Sequence, residues 1–299
     1  NCCLKMDLRL PSLKWSVGGL LVVGLLTKML GLVRQLIVAY EFGVSAELDI
    51  VLIGLIVPMA FSTSIGGGIA RAVVPNATKT DAVEFATLYY HGIRKLFIFG
   101  TILMTTLIVT IPFWVNIFDH NASGGNYFIL ILSGIFGCLG VCGGIIAGFC
   151  GGLANARGLH VTQSVRLLLH NVVSIVMLIL FASYFGPLVL SIAFLLSEWT
   201  QLLLLIPVLN RSYKYADPRE HSKEWKPILM MTVPAVLLTV GVSLNLVVDR
   251  YFAATLPAGS VSGLNYADNF LNIAVGLLGT ALAAPLFTRF SYFASKKDW

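Results

Sequence analysis

The sequence holds 299 residues, 57% of them hydrophobic and 11% charged, with a formal net charge of +6 and a mean hydropathy of +0.86. A soluble globular domain cannot bury that much apolar surface, and the apolar runs do not alternate polar with apolar, which excludes a membrane β-barrel. The positive charge is spread over successive loops and forms no single basic face, so it does not describe a nucleic-acid binder.

The first basic residues, Lys5, Arg9 and Lys14, precede an apolar run too long for a signal peptide and without a small-residue cleavage site. It reads as a retained span, and because the chain opens on Asn1, Met6 is a plausible start. Windows near the roughly 20 residues needed to cross about 30 Å of hydrocarbon place helices at 15–40, 46–70, 86–118, 127–153, 160–184, 187–209, 227–256 and 262–288. The chain is therefore expected to be an all-α integral membrane protein of about eight transmembrane helices. All of the 20 Lys and Arg except Lys28, Arg34 and Arg250 fall on the side that holds the N-terminus. The opposite loops, near 41–45, 119–126, 185–186 and 257–261, carry none, which puts both termini in the cytoplasm of a multi-pass protein. The long polar connection at 210–226 divides a six-helix unit, 1–209, from the start of a second unit, 227–299. It reads as a hinge between bundles or as a solvated loop near anionic headgroups.

On the first helix Ser16, Gly24, Thr27, Lys28, Gly31, Arg34 and Gln35 fall within one sector of about 120°. A charge at mid-bilayer costs about 2.5–3.5 kcal/mol on insertion scales, so Lys28 should face protein or water. Two readings remain, a cation-lined cavity and cations that pair with carboxylates to hold helices together. In the second helix Gly66, Gly67 and Gly68 follow Pro58 and are expected to end or unwind it. In the fourth, Gly140, Gly144, Gly148 and Gly152 recur every four residues as a close-packing seam. Of the five cysteines, Cys138, Cys142 and Cys150 lie in apolar segments without metal-ligand spacing and read as packing residues.

His170 and Asn171 in the fifth span read as buried hydrogen-bonding groups. Glu198 in the sixth, with Gln201 beside it, is either an ion or proton site or a structural carboxylate. The seventh contributes Asn245, Asp249 and Arg250. The eighth carries Asn265, Asp268, Asn269 and Asn272 at i, i+3, i+4 and i+7, a polar stripe that implies a wet lumen or a partner stripe. Nothing forms a nucleophile constellation, a metal motif or a phosphate-binding loop, so an enzyme reading has little support and no cofactor, metal or covalent catalysis is expected.

The stretch from Thr27 to Gly43 (TKMLGLVRQLIVAYEFG), with Ala46-Glu-Leu-Asp49 after it, resembles the first-helix signature of the MviN/MurJ family of lipid-linked precursor flippases. So do Ala70-Arg-Ala-Val-Val-Pro75, the run from Asn245 to Asp268 (NLVVDRYFAATLPAGSVSGLNYAD) and Gly276-Leu-Leu-Gly-Thr-Ala-Leu282. The resemblance implies the exporter-superfamily fold, two six-helix lobes around a cationic cavity, of which this chain supplies the first lobe and two helices of the second. The remaining helices are then missing from a fragment or truncated relative, or come from another chain. It further implies a bacterial inner-membrane location and a substrate carried on undecaprenyl diphosphate, such as lipid II, in contact with membrane lipids. Alternatives are another polyprenyl-linked glycan, a cation-coupled antiporter of the superfamily, and a scaffold that does not transport.

By motif position Lys28 stands where the family has Arg, while Arg34 and Asp49 match. After Pro58 the family usually carries two arginines, where this chain has Ser62 and Thr63; after Asp268 it usually carries Arg, where this chain has Asn269. The resemblance thus implies substrate contacts from Lys28, Arg34, Asp49, Ser62, Thr63, Asn245, Asp268, Asn269 and Asn272; Glu198, by its place inside an apolar run, is the candidate for ion coupling. Lys for Arg keeps the charge but loses the fork that suits phosphate.

Overall fold

The computed structural model describes residues 13–118, 124–212 and 226–276. They form α1 (Leu13–Phe42), α2 (Ala46–Ala77), α3 (Ala82–Val109), α4 (Ile111–Phe118), α5 (Gly124–Ala156), α6 (His160–Phe185), α7 (Val189–Ser212) and α8 (Lys226–Ala254). A ninth helix, α9, starts at 260 and continues to 276. No strand occurs among the described residues.

Local sequence accounts for the helix ends. The hydroxyl of Ser45 accepts from the Leu48 amide at the start of α2, and Asp81 accepts from the Glu84 amide at 2.8 Å at the start of α3, the side-chain capping that helix N-termini require. Gly43, Gly158 and Gly186 end α1, α5 and α6 with φ of +57°, +74° and +55°, values that favour glycine. The expected span 86–118 is two helices. Pro112 has no amide hydrogen to continue the ladder, and the chain turns at Thr110 between α3 and α4.

Helix α2 is the organising element: it packs along α5 on one side and α8 on another. Farther out, α5 meets α3 and α7, α6 meets α7, and α1 lies on α6. The glycines at 66–68 neither end nor unwind α2, which runs through them to Ala77. They are where neighbouring backbones come closest. A Cβ on Gly148 would strike the Gly66 carbonyl, one on Gly152 would lie 2.6 Å from the Ala70 carbonyl, and one on Gly68 would lie 2.8 Å from Val236 Cα of α8. Every fourth residue of α5 thus lies against α2, while Gly140 faces Phe194 of α7. The buried thiols of Cys138, Cys142 and Cys150 are part of this core.

Outside the core the helices are greasy: Phe97, Ile98, Ile102, Leu237, Leu238 and Val242 are all exposed. Such surface on every side is unstable in water and suits acyl chains. Six stretches among the described residues are long and apolar enough to cross a bilayer, and one of them, His160–Asn210, contains both α6 and α7. The chain is an all-α membrane protein. Most of the 210–226 connection lies outside the described residues.

Candidate functional site

The turns at 43–45, at 186–188 and at 255–259 lie at one end of the bundle, called here the Gly43 end; the turn at 157–159 lies at the other, the Gly158 end. Two cavities are stacked between these ends. The first, of about 220 Å³, lies between α1, α2, α6, α7, α8 and α9 and is lined by Arg34, Gln35, His170, Arg250 and the stripe Asn265, Asp268, Asn269 and Asn272. The second, of about 530 Å³, lies between α2, α5, α6 and α7 and is lined by Ser62, Thr63, Arg71, Gln163, Arg166, Glu198 and Gln201. His170 borders both.

The Gly43 end is tied shut by polar contacts that join residues far apart in the chain. Both oxygens of the buried Asp49 carboxylate accept backbone hydrogen bonds of 2.6 Å, one from the Gly259 amide and one from the Ser262 amide. Asp49 of α2 therefore caps the N-terminus of α9, where unsatisfied amides and the helix dipole both favour an anion. Gly259 takes φ +94°, and a Cβ there would lie 2.6 Å from Val44 Cγ1, so the turn closes against the α1–α2 connection only with glycine. The Tyr266 hydroxyl donates to the Gly43 carbonyl at 2.8 Å.

Beneath this seal the guanidinium of Arg250 is 5% exposed and fully directed at α9. It donates to the Val261 carbonyl at 2.8 Å, to Asn265 Oδ1 at 3.1 Å and to Asp268 Oδ2 at 3.0 Å. Its ion-pair partner is Asp268; the adjacent Asp249 is exposed. Asn269 donates to the Asn265 carbonyl at 2.8 Å.

The polar sector of α1 is divided among several neighbours. Asn171 of α6 donates to the Thr27 carbonyl at 3.1 Å and faces Gly31, while Arg34 and Gln35 border the first cavity. Lys28 Nζ lies beside Gly276 of α9. Among the described residues a Cβ on Gly24 would meet nothing within 4 Å, so this glycine opens no close packing with them. The side chain of Ser16 lies outside the described residues.

Of the substrate-contact residues expected from sequence, Arg34, Asp268, Asn269 and Asn272 share the first cavity, and Ser62 and Thr63 lie in the second with Glu198. Asp49 is engaged at the seal, and Asn245 is exposed and borders neither cavity. Sequence reasoning paired Gln201 with Glu198 but missed Arg71, Arg166 and Gln163. Arg71 and Arg166 were assigned to one side of the membrane by loop charge alone. The spacing Gln163, Arg166, His170 and Ser174 on α6 places them on one helical face, a signal present in the sequence.

In the second cavity Gln201 links three groups through Nε2, which approaches the Ser197 carbonyl at 3.1 Å, Glu198 Oε2 at 3.2 Å and His170 Nδ1 at 3.4 Å. Arg166 is close enough to Glu198 for their charges to act on each other. Among the described residues no cluster of three or more His, Cys, Asp or Glu could hold a metal ion.

A family model described as lipid II flippase MurJ matches residues 38–299. A probable lipid II flippase MurJ from Buchnera aphidicola subsp. Acyrthosiphon pisum is 23% identical over 290 residues, covering 88% of this chain and 54% of that protein. The one from Vibrio cholerae is 27% identical over 311 residues, covering 92% and 58%. Among solved structures, lipid II flippase MurJ in an inward closed conformation superposes with a TM-score of 0.77 at 19% identity over 92% of this chain and 59% of that one. A MOP superfamily transporter from Pyrococcus furiosus gives 0.65 at 18% identity, covering 89% and 62%. The chain thus spans a little over half the length of the relatives it matches, and the structural likeness shows the fold they share.

Proposed function

We propose, because the chain belongs to the family of the lipid II flippase MurJ, that it forms the first lobe and the start of the second lobe of a flippase. Its cargo is an undecaprenyl-diphosphate-linked saccharide such as lipid II, moved from the inner to the outer leaflet of the bacterial inner membrane for peptidoglycan synthesis. Both termini and the 210–226 connection face the cytoplasm, so the Gly43 end is the outer one. The two lobes, 1–209 and 227–299, rock about that connection to give alternating access.

The observation that carries this reading is the sealed Gly43 end above a polar cavity. While the fan of contacts from Arg250 holds α8 to α9, the Asp49 cap and the Tyr266–Gly43 bond join α2 and the α1–α2 connection to α9. Breaking them opens the outer side without disturbing either lobe's own core. Asp49 accordingly acts as the latch of the outer gate. Within the cavity Arg34 attracts the diphosphate and Asn269 and Asn272 hydrogen-bond sugar hydroxyls, while Lys28, outside the cavity's lining and beside Gly276 of α9, adds a second positive charge. Glu198 serves ion coupling.

The test is outer-leaflet accessibility of a lipid-linked diphosphate saccharide in vesicles containing the protein. Replacing Lys28 and Arg34 together by Gln should lower translocation about tenfold or more, the effect of losing a charge-assisted bond to phosphate. Unchanged translocation removes the two cations from the site. Loss of transport on Glu198→Gln with indifference to Lys28 and Arg34 points instead to a cation-coupled antiporter.

A further inference from the structure

We infer that the second cavity, lined among the described residues by the first lobe alone, is a separate binding site for the phosphorylated headgroup, with Arg71 and Arg166 toward its Gly158 end. The inference rests on the flippase reading for the identity of the headgroup, but its geometry is independent of the interlobe seal.

Charge is the first argument. Among the described residues two guanidinium groups line this cavity against one carboxylate, Glu198, so this lining carries an excess of positive charge in a bundle surrounded by lipid. An uncompensated charge in such surroundings is costly and draws in a counter-charge. Unused hydrogen-bonding capacity is the second. Nε of Arg166 is buried and has no hydrogen-bond partner among the described residues, and neither has Oε1 of Gln163 or Oε1 of Gln201. Gln201 is only 2% exposed, and its Nε2 is fully engaged by protein, so its free oxygen is held in a fixed direction. The third is placement. Arg71 and Arg166 each lie about two turns from the Gly158 end of their helices, Arg71 exposed and Arg166 half-buried, while Glu198 is buried farther along α7.

An anion entering from the Gly158 end would meet the exposed Arg71 and the half-buried Arg166 at about the same depth. The fork of Arg166 suits phosphate oxygens, and the free amide oxygens with Glu198 accept hydroxyl hydrogens. A ligand with both kinds of group, a sugar joined to a diphosphate, satisfies the whole lining; inorganic diphosphate satisfies only the arginines. Glycines 144 and 148 keep the α5 wall thin where the cavity passes Ser62 and Gly66.

The experiment is calorimetric titration of the full chain in nanodiscs with inorganic diphosphate, then with a farnesyl-diphosphate-linked N-acetylhexosamine as competitor. Saturable binding is expected that weakens at least tenfold in Arg166→Gln and severalfold in Arg71→Gln, and that changes less than twofold in Arg94→Gln, on the exposed face of α3 away from both cavities. Gln163→Glu guards against a folding defect, because it supplies Arg166 with an internal carboxylate. That variant should keep or raise the melting temperature while losing diphosphate binding. Binding that is indifferent to Arg166 and Gln163 overturns the proposal, as does binding of diphosphate that the lipid-linked competitor cannot displace, which marks a site for free phosphate. If Arg34→Gln alone weakens binding, this inference falls while the flippase reading stands; if Arg166 controls binding but translocation ignores Lys28 and Arg34, the reverse holds.

Discussion

Asp49 shows how much one side chain can decide. Its carboxylate is buried and makes two 2.6 Å bonds to amides that no intrahelical carbonyl can serve. Asp49→Ala leaves two buried N–H groups without a partner and removes the anion from a helix N-terminus, and should destabilise the closed form by about 2–3 kcal/mol. Thermal unfolding in detergent checks this: Asp49→Asn, which retains one acceptor, should fall between wild type and Ala. A melting temperature unchanged by Ala would show that the cap contributes nothing. The sequence marks Asp49 only as part of a family signature, because its partners lie 210 and 213 positions away and nothing local predicts which helix it caps. Arg250 is similar: its neighbour in sequence is Asp249, but its ion pair reaches forward to Asp268. The polar stripe on α9 was legible because helical periodicity is local, whereas the identity of the facing group was not.

Among the helices, glycine spacing was the more readable signal. The four-residue repeat on α5 predicts a close-packed seam, and the structure lays Gly144, Gly148 and Gly152 against α2 and Gly140 against α7. The same residue type misleads at Gly66, Gly67 and Gly68, where intrinsic propensity argues for a helix end and tertiary packing overrides it. A paired substitution separates the two roles. Gly148→Ala sets a methyl against the Gly66 carbonyl, a backbone atom that can yield only if the whole helix moves, and should cost about 1–3 kcal/mol. Gly24→Ala meets nothing within 4 Å among the described residues and should leave stability unchanged or slightly raised. Equal effects at both positions, scored by unfolding in detergent, would deny that α2 and α5 are held at glycine distance. The break at Thr110 was less legible, since the run from 86 to 118 is apolar throughout and only Pro112 distinguishes one helix from two.

At the scale of the molecule, α2 is the wall shared by both proposed lobes. It is bonded to α8 by Ser64 and Thr239: the Ser64 hydroxyl lies 2.7 Å from that of Ser243, and Thr239 donates to the Ser64 carbonyl at 2.7 Å. If α8 rocks against α2 in each cycle, a Ser64→Cys and Ser243→Cys pair should crosslink under mild oxidation and stop translocation, with recovery on reduction. Continued transport through the crosslink would place the moving interface elsewhere. The sequence foretold the spans and a polar interior, but not that the interior is two compartments, because a cavity is a property of several helices at once and Arg71 and Arg166 looked like ordinary loop-side charges. The most direct measurement concerns the interior itself: labelling of Asn269→Cys, in a chain whose own cysteines are replaced by serine, with a membrane-impermeant maleimide added from either face. The expected result is reaction from the cytoplasmic face only, with reaction from the outer face appearing when Asp49→Ala is added. A cysteine at 269 that reacts from neither face and responds only to lipid-soluble reagents would contradict a watery pathway closed by Asp49.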